Sequence, residues 1–445
     1  MNIGEFFKWI NNIEKSTFSL NETNTNFICE VLLTKERRGL YFNLIYPNIG
    51  LLYNNNSNFL LKDNHYQIRV NNFIHYQSSI LERKCNIYIF ESICFSSEIE
   101  LYHKYYSRVD GDLSAFYFLE EISDKISITV NENIYNVSII LNPYLEERYL
   151  IIESLNPLKF SVFQHEVNAI IIGIGFISGF YYRLEEYYFQ SDNVQFNSID
   201  FFCRYSDKKS VIYEPISNFP SSYYYDKNID ESDLDKYRAG LSIDNFTRLI
   251  NLFISKHEIY ISVVNMFKIY NVYPLFTLSA LFVILETICE QINKEFASEY
   301  QDKIQVKQKG LKVLKEIKAQ ISDENHNQLT DIINQIDSKL IENIINYERA
   351  CNAIDVKLSN EERKAIKKRN ELFHGRIIPI INKIDLQESH TKIEMEYSFY
   401  ADRIYVVIAK LILKKIGFSG FILNHPKIRE KETGKSLNEP HFIKI

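Results

Sequence analysis

Arg369, Asn370 and His374 lie within six residues of one another and could together break a phosphodiester without a metal ion. The guanidinium of Arg369 is a fixed cation whose N–H fork matches a phosphate. The imidazole of His374 changes charge near neutral pH, so it can take a proton from an attacking hydroxyl or return one to a leaving oxygen. Asn370 adds a donor and an acceptor one turn before the histidine. A loose Arg-to-His spacing carries no information: Arg69 and His75 show it in an alternating, aromatic-rich stretch that reads as strand. The strict order Arg-Asn-x-x-x-His is different. With 16 Arg, 42 Asn and 10 His in 445 residues, chance supplies about 0.03 such matches, and only Arg369 satisfies it.

The flanking sequence predicts the element that carries these groups. Ser359-Asn360-Glu361-Glu362 has the Ser-x-x-Glu spacing of a capping box, so a helix is expected to start near Asn360. Pro379 stops it after 378. Ile366, Arg369, Asn370, Phe373, His374 and Ile377 then fall at three- and four-residue steps on one face, the face that should meet a partner helix. Polar groups on such a stripe need partners or a function. The plain alternative is a capping or solvent-facing histidine beside an ordinary basic run. That run is dense: residues 363–376 carry six positive charges and one negative, Glu371. Arg363, Lys367, Lys368 and Arg376 are the expected contacts to a nucleic-acid backbone. A further six lysines fall within residues 303–318.

Glu286 interrupts a nearly all-apolar helical stretch, 275–289. An ionised carboxylate is rarely left unpaired in such a setting. Either it orients Arg369 across a helical bundle, or it faces solvent beside Glu290.

Composition bounds the rest. The chain is long enough for two or three domains, and 46% hydrophobic residues exclude a largely disordered one. Six scattered cysteines with no Cys-x-x-Cys argue against a zinc ribbon or a disulfide framework and imply reduced thiols. No acidic pair or histidine cluster has ligand spacing, so neither metal nor cofactor is expected. The N-terminus lacks a signal-peptide pattern, and the longest apolar runs, 169–182 and 278–285, are too short or too glycine-broken to span a bilayer. A soluble, cytoplasmic protein with no membrane partner is expected. The net charge of −6 hides an asymmetry, with 21 basic against 31 acidic residues in 1–240 and 30 against 26 beyond.

The pattern of the first half predicts strands at 26–33, 39–46, 66–73, 86–95, 125–130, 135–141, 149–153 and 198–204, with one helix at 167–190. Gly173-x-Gly175-x-x-x-Gly179 in that helix lacks the βαβ setting of a dinucleotide loop, and close helix packing explains it better. Residues 206–240 read as a linker. Helices are expected at 242–270, 274–297, 303–320, 324–350, 360–378 and 394–416, followed by a loose tail at 418–445. The expected class is α+β multidomain: a β-rich N-terminal domain (1–205) followed by an all-α C-terminal helical bundle (241–417).

The Arg369-Asn370-x-x-x-His374 segment resembles the signature of the HEPN family of bacterial and archaeal ribonucleases. The resemblance covers about residues 240–417 and implies a HEPN-like bundle that dimerises with two motif helices facing each other. It also implies metal-independent RNA cleavage by 2′-hydroxyl attack at a composite dimer-interface site, leaving a 2′,3′-cyclic phosphate and a 5′-hydroxyl. By the same resemblance Arg369 stabilises the phosphorane, His374 is general acid or base, Asn370 binds nearby and Glu286 supports Arg369. Transfer RNA is the target that family habit suggests. Toxins of the family controlled by a nucleotidyltransferase carry Tyr two residues after the histidine; Arg376 stands there instead. The order of a β-rich domain and then a HEPN-like bundle resembles ApeA-type anti-phage abortive-infection proteins, which implies a defence or toxin role and a phage-derived trigger. The alternative within the resemblance is a non-catalytic HEPN-like binding or regulatory module.

Overall fold

The computed structural model describes residues 99–109, 115–144, 146–196, 200–217, 234–269, 272–318, 347–373 and 386–445, a turn of helix at 329–333, Leu113, and the strands between 17 and 89. An antiparallel β region is followed by a helical C-terminal region. Chain contacts divide these into two units: Met1–Glu214 with Gly240–Ile254, and Pro215–Ala239 with Ser255–Ile445.

In the first unit, β1 (Thr17–Glu22), β2 (Ile28–Glu36), β3 (Gly39–Leu44), β4 (Phe59–Lys62) and β5 (Gln67–Val70) form a sheet in the order β3-β2-β1-β4-β5. β6 (Phe73–Ser79) pairs with β7 (Lys84–Ile89). A larger sheet has the order β14-β13-β8-β11-β10-β9. Its strands are β8 (Glu100–Val109), β9 (Lys125–Val130), β10 (Asn133–Leu141), β11 (Arg148–Ser154), β13 (Phe180–Ser191) and β14 (Asp200–Val211), with β12 (Leu158–Lys159) beside β8. β9 shows the two-residue period directly, exposed Lys125, Ser127 and Thr129 alternating with buried Ile126, Ile128 and Val130. Asn131 and Glu132, at φ 45° and 73°, form the two-residue turn into β10 that the right-handed strand twist prefers.

Helix α1 (Phe160–Ser178) has thirteen buried residues and is apolar through its second half, from Ala169 to Ile177, as the core helix of a layered unit must be. The helix expected at 167–190 therefore starts earlier and stops sooner. Gly179, left-handed at φ 77°, ends it, and the chain turns into β13. α2 (Ile243–Ser255) buries Phe246, Leu249, Ile250 and Phe253. A β-carbon on Gly173 would lie 2.2 Å from the Ile250 side chain, so that glycine serves close helix packing.

The span 206–240 is not a uniform linker. β14 continues to Val211, and Leu241 donates its N–H to the Phe118 carbonyl while accepting from Glu120 N–H. The approach is so tight that a β-carbon on Gly240 would stand 2.5 Å from the Glu120 nitrogen and 2.6 Å from the Leu119 carbonyl carbon. Backbone cannot yield as a side-chain end can. Gly240→Ala is therefore expected to destabilise by about 1–3 kcal/mol. Gly310→Ala, mid-helix with nothing within 4 Å of its β-carbon, is expected to stabilise by about 0.5–1 kcal/mol. Thermal unfolding of both variants checks the contrast.

The second unit contains α3 (His257–Ile269), α4 (Pro274–Glu295), α5 (Ala297–Lys318), α6 (Tyr347–Ala353), α7 (Asn360–Phe373), α8 (Leu386–Lys415), α9 (His425–Ile428) and α10 (Glu430–Thr433). The single helix expected at 242–270 is thus two, α2 and α3, broken at Lys256 and assigned to different units. α4 packs along α3 and α8, and α6 and α7 lean on α4. α8 is buried on every side from Ala401 to Leu413. Three charges sit in that buried run. Arg403 is held in two-bond contact by Glu439 at 2.6 and 2.6 Å, Asp402 takes Arg429 at 2.8 Å, and Lys410 takes Glu362 at 2.6 Å.

Those pairs overturn the expected loose tail. A buried charge without a counter-ion costs several kcal/mol, and two of the three counter-ions come from beyond residue 417. β15 (Phe421–Leu423) and β16 (Phe442–Lys444) form a hairpin, so the helical region also holds a small sheet. Ile216 bridges to Ile422, and Leu234 packs with Leu423 and Phe442. The end of the expected linker and the expected tail thus complete one core. By length and composition α1 and α4 could each cross a membrane, which the apolar runs alone did not suggest; 72% of the α1 window and 50% of the α4 window are buried within the fold.

Candidate functional site

α7 begins where its capping box predicts. Ser359 N–H donates to Glu362 Oε2 at 2.7 Å, and Glu362 N–H donates to Ser359 Oγ at 3.1 Å. The remaining oxygen of Glu362 receives Lys410 Nζ from α8, and both side chains are buried. The cap is therefore fused to a buried ion pair, which fixes the start and the rotation of α7. Glu362 and Ala365 are its buried positions; Ile366 and Arg369 are half-buried, and Asn370 and Phe373 are exposed. The stripe expected to be covered by a partner helix is thus partly open within this chain.

Arg369 meets α4 across 83 residues of sequence: its Nε–H donates to Glu286 Oε1 at 2.5 Å. The hydroxyl of Tyr347, at the start of α6, donates to the same oxygen at 2.9 Å. Arg369 Nη1 reaches Asn370 Oδ1 at 3.3 Å, and its Cζ lies 5.0 Å from the Phe373 ring centre, a cation–π contact. Phe373 meets Phe282 edge-on at 6.4 Å. Of the two readings of Glu286, the structure shows the contact with Arg369. Glu290 pairs instead with Lys294 at 2.7 Å.

The electrostatics follow from these contacts. The hydrogen bond to Glu286 raises the Arg369 pKa further, so the cation is permanent. Burial, and then the Glu286 charge, push the Tyr347 phenol well above its ordinary value, which keeps the hydroxyl a donor. Glu286 is the more enclosed partner, its side chain 16% exposed against 33% for Arg369. Arg369 thus keeps its charge and an open flank.

The basic residues divide. Arg363 donates to Glu348 at 3.0 Å and to the Leu358 carbonyl at 2.8 Å, so it clasps α6 to α7. Lys368 pairs with Glu371 at 2.6 Å. Lys367 is exposed and meets no acid among the described residues. His374 and Arg376 lie outside the described residues, as does the end of the expected helix at 374–378. The structure brings Arg369, Asn370 and Glu286 together and adds Tyr347. No local signal marked Tyr347, which sits 61 residues from its acceptor.

The described titratable groups elsewhere have structural explanations. Burial lowers His103 to about 4, and its Nε2 lies 2.8 Å from the Leu158 carbonyl. Glu166 gathers Asn131, Asn133 and the Tyr135 hydroxyl, tying the β9–β10 turn to α1; burial raises its carboxyl. Burial also raises the Cys289 thiol and pushes Cys351 up to about 12, so both stay protonated and unreactive at neutral pH. Among the described residues no group of three or more His, Cys, Asp or Glu could hold a metal ion. Comparison of the chain with protein-family models, curated proteins and solved structures finds no match.

Proposed function

We propose that the chain is a metal-independent, HEPN-type endoribonuclease that works as a cytoplasmic homodimer in a bacterial anti-phage defence or toxin system. The observation that carries this reading is the Arg369 guanidinium, permanently charged and partly open, on a helix whose cap is locked by a buried ion pair. Arg369 offers a fixed cation to the phosphate as negative charge grows in the phosphorane, and such preorganised charge usually does more for the rate than any other single effect. His374 moves the protons: one imidazole takes the 2′-hydroxyl proton, and another protonates the departing 5′-oxygen. Two histidines at one scissile bond require two copies of the motif, which an isologous two-fold interface supplies. Asn370 holds the ribose or the helix end, Glu286 keeps Arg369 in place, and Lys367 is the open cation for the RNA backbone. The first unit senses the trigger, a phage product, and transfer RNA is the substrate.

The test is incubation of the purified protein with total bacterial RNA in EDTA, alone and in phage-infected lysate, with mapping of the new ends. New 2′,3′-cyclic phosphate and 5′-hydroxyl termini are expected. Intact RNA in both conditions would exclude the ribonuclease.

One observation favours a second reading. The Glu286 carboxylate against Arg369 is also what a structural polar pair in a non-catalytic binding module looks like. In that case loss of the pair lowers the melting temperature and alters no RNA.

A further inference from the structure

We propose that Tyr347 is a positioning residue for Arg369: its hydroxyl occupies Glu286 Oε1 and stops the carboxylate from clamping the guanidinium through two bonds. The inference rests on the ribonuclease reading for its effect on rate, but its geometry stands without it.

An arginine beside a carboxylate ordinarily settles into a fork, with two parallel N–H···O bonds that use both oxygens. Here the contact is single. Nε–H of Arg369 and the Tyr347 hydroxyl both point at Oε1, at 2.5 and 2.9 Å. Turning the carboxylate to present its other oxygen to the amino groups of Arg369 would bend or lengthen the tyrosine bond, so Tyr347 biases the pair toward the single contact. A symmetrical clamp would hold the cation more tightly and neutralise its charge within the protein. The single carboxylate contact keeps the orientation and leaves donor capacity on the amino groups, where Nη1 already meets the Asn370 amide oxygen, for an incoming phosphate oxygen.

The position of the hydroxyl is set by α6, and it also interacts with the Arg369 guanidinium itself. α6 is clasped to α7 by Arg363, which reaches both Glu348 and the Leu358 carbonyl. One turn beyond Tyr347 along α6, Ala350 and Cys351 are fully buried. Phe373 and Asn370 also lie beside the guanidinium, at 5.0 and 3.3 Å. Four side chains from three helices therefore surround one cation, and of the three besides Glu286 only the tyrosine binds the carboxylate.

Tyr347→Phe removes the donor and keeps the ring. In full-length protein it is expected to lower kcat for RNA cleavage about tenfold while KM stays within about twofold, because Arg369 acts chiefly on the transition state. In a Glu286→Gln background the same change should have no further effect on kcat. A readout without turnover accompanies this: modification of Arg369 by phenylglyoxal, followed by mass spectrometry of its peptide. Tyr347→Phe should slow labelling at least threefold as the clamp closes, and Glu286→Gln should speed it. Unchanged labelling in Tyr347→Phe, or a kcat loss that persists undiminished in the Glu286→Gln background, would overturn the proposal. Absence of RNA cleavage in wild type with slowed labelling in Tyr347→Phe would remove the ribonuclease reading and leave the positioning role standing.

Discussion

His374→Ala is expected to lower RNA cleavage by about a thousandfold or more, with RNA affinity nearly unchanged. On the proposed ribonuclease reading the imidazole would move protons at a bond that breaks slowly without it, and a positioned acid or base contributes about 10²–10⁴ in rate. Arg369→Ala should cost about 10²–10³ through loss of charge stabilisation, and Arg369→Lys should recover only part, since an ammonium lacks the fork. Quantified cleavage of a defined RNA in EDTA, with melting temperatures for each variant, checks both. The contrast with the binding-module reading is sharp. If His374→Ala or Arg369→Ala cuts at the wild-type rate, the site is misassigned, whatever happens to stability.

The second large effect is on folding. Glu362→Ala removes the capping-box acceptor and strands Lys410, whose side chain is 4% exposed against 1% for Glu362. Breaking a buried pair from one side costs about 3–5 kcal/mol, and loss of a helix cap about 1 kcal/mol more. At about 2–4 °C per kcal/mol for a unit of this size, the melting temperature should fall by about 10–20 °C. Glu362→Met with Lys410→Met, which removes both charges, should regain most of the loss, because desolvating a pair offsets much of its attraction. A single variant that melts within about 2 °C of wild type would show that the pair does not anchor α7. An anchor that matters should also couple to activity, since the same helix presents Arg369.

Much of the local structure was legible because it depends on neighbours in sequence. The Ser359–Glu362 spacing located the start of α7 to the residue, and alternation located β9 and β10 nearly to their ends. β8 was missed because it lies at the centre of its sheet, where His103, Tyr105, Tyr106 and Ser107 are all buried and alternation vanishes. Gly173 reads as a packing glycine, and its near contact with Ile250 bears that out.

The division of the chain was not legible. A boundary at 240 would cut both units: it separates α2 from α1, against which it packs, and removes Ile216 and Leu234 from the core formed with the last 28 residues. Polar, proline-bearing sequence reads as linker and tail when only its composition is seen. Its burial is decided by Arg403 and Asp402 on α8, whose counter-ions Glu439 and Arg429 lie 36 and 27 residues away.

By itself the sequence determined a helix that starts at a capping box and carries Arg369 and Asn370, and it singled out Glu286 as a carboxylate that either meets Arg369 or faces solvent. Helical period, caps and desolvation act within a few residues, so they are written locally. Only the tertiary structure decided that Glu286 faces Arg369, that Tyr347 shares its oxygen, and that Arg363 is a clasp. Those choices depend on which helices lie side by side, and that is set by the burial of α8 and its charges rather than by any neighbouring residue.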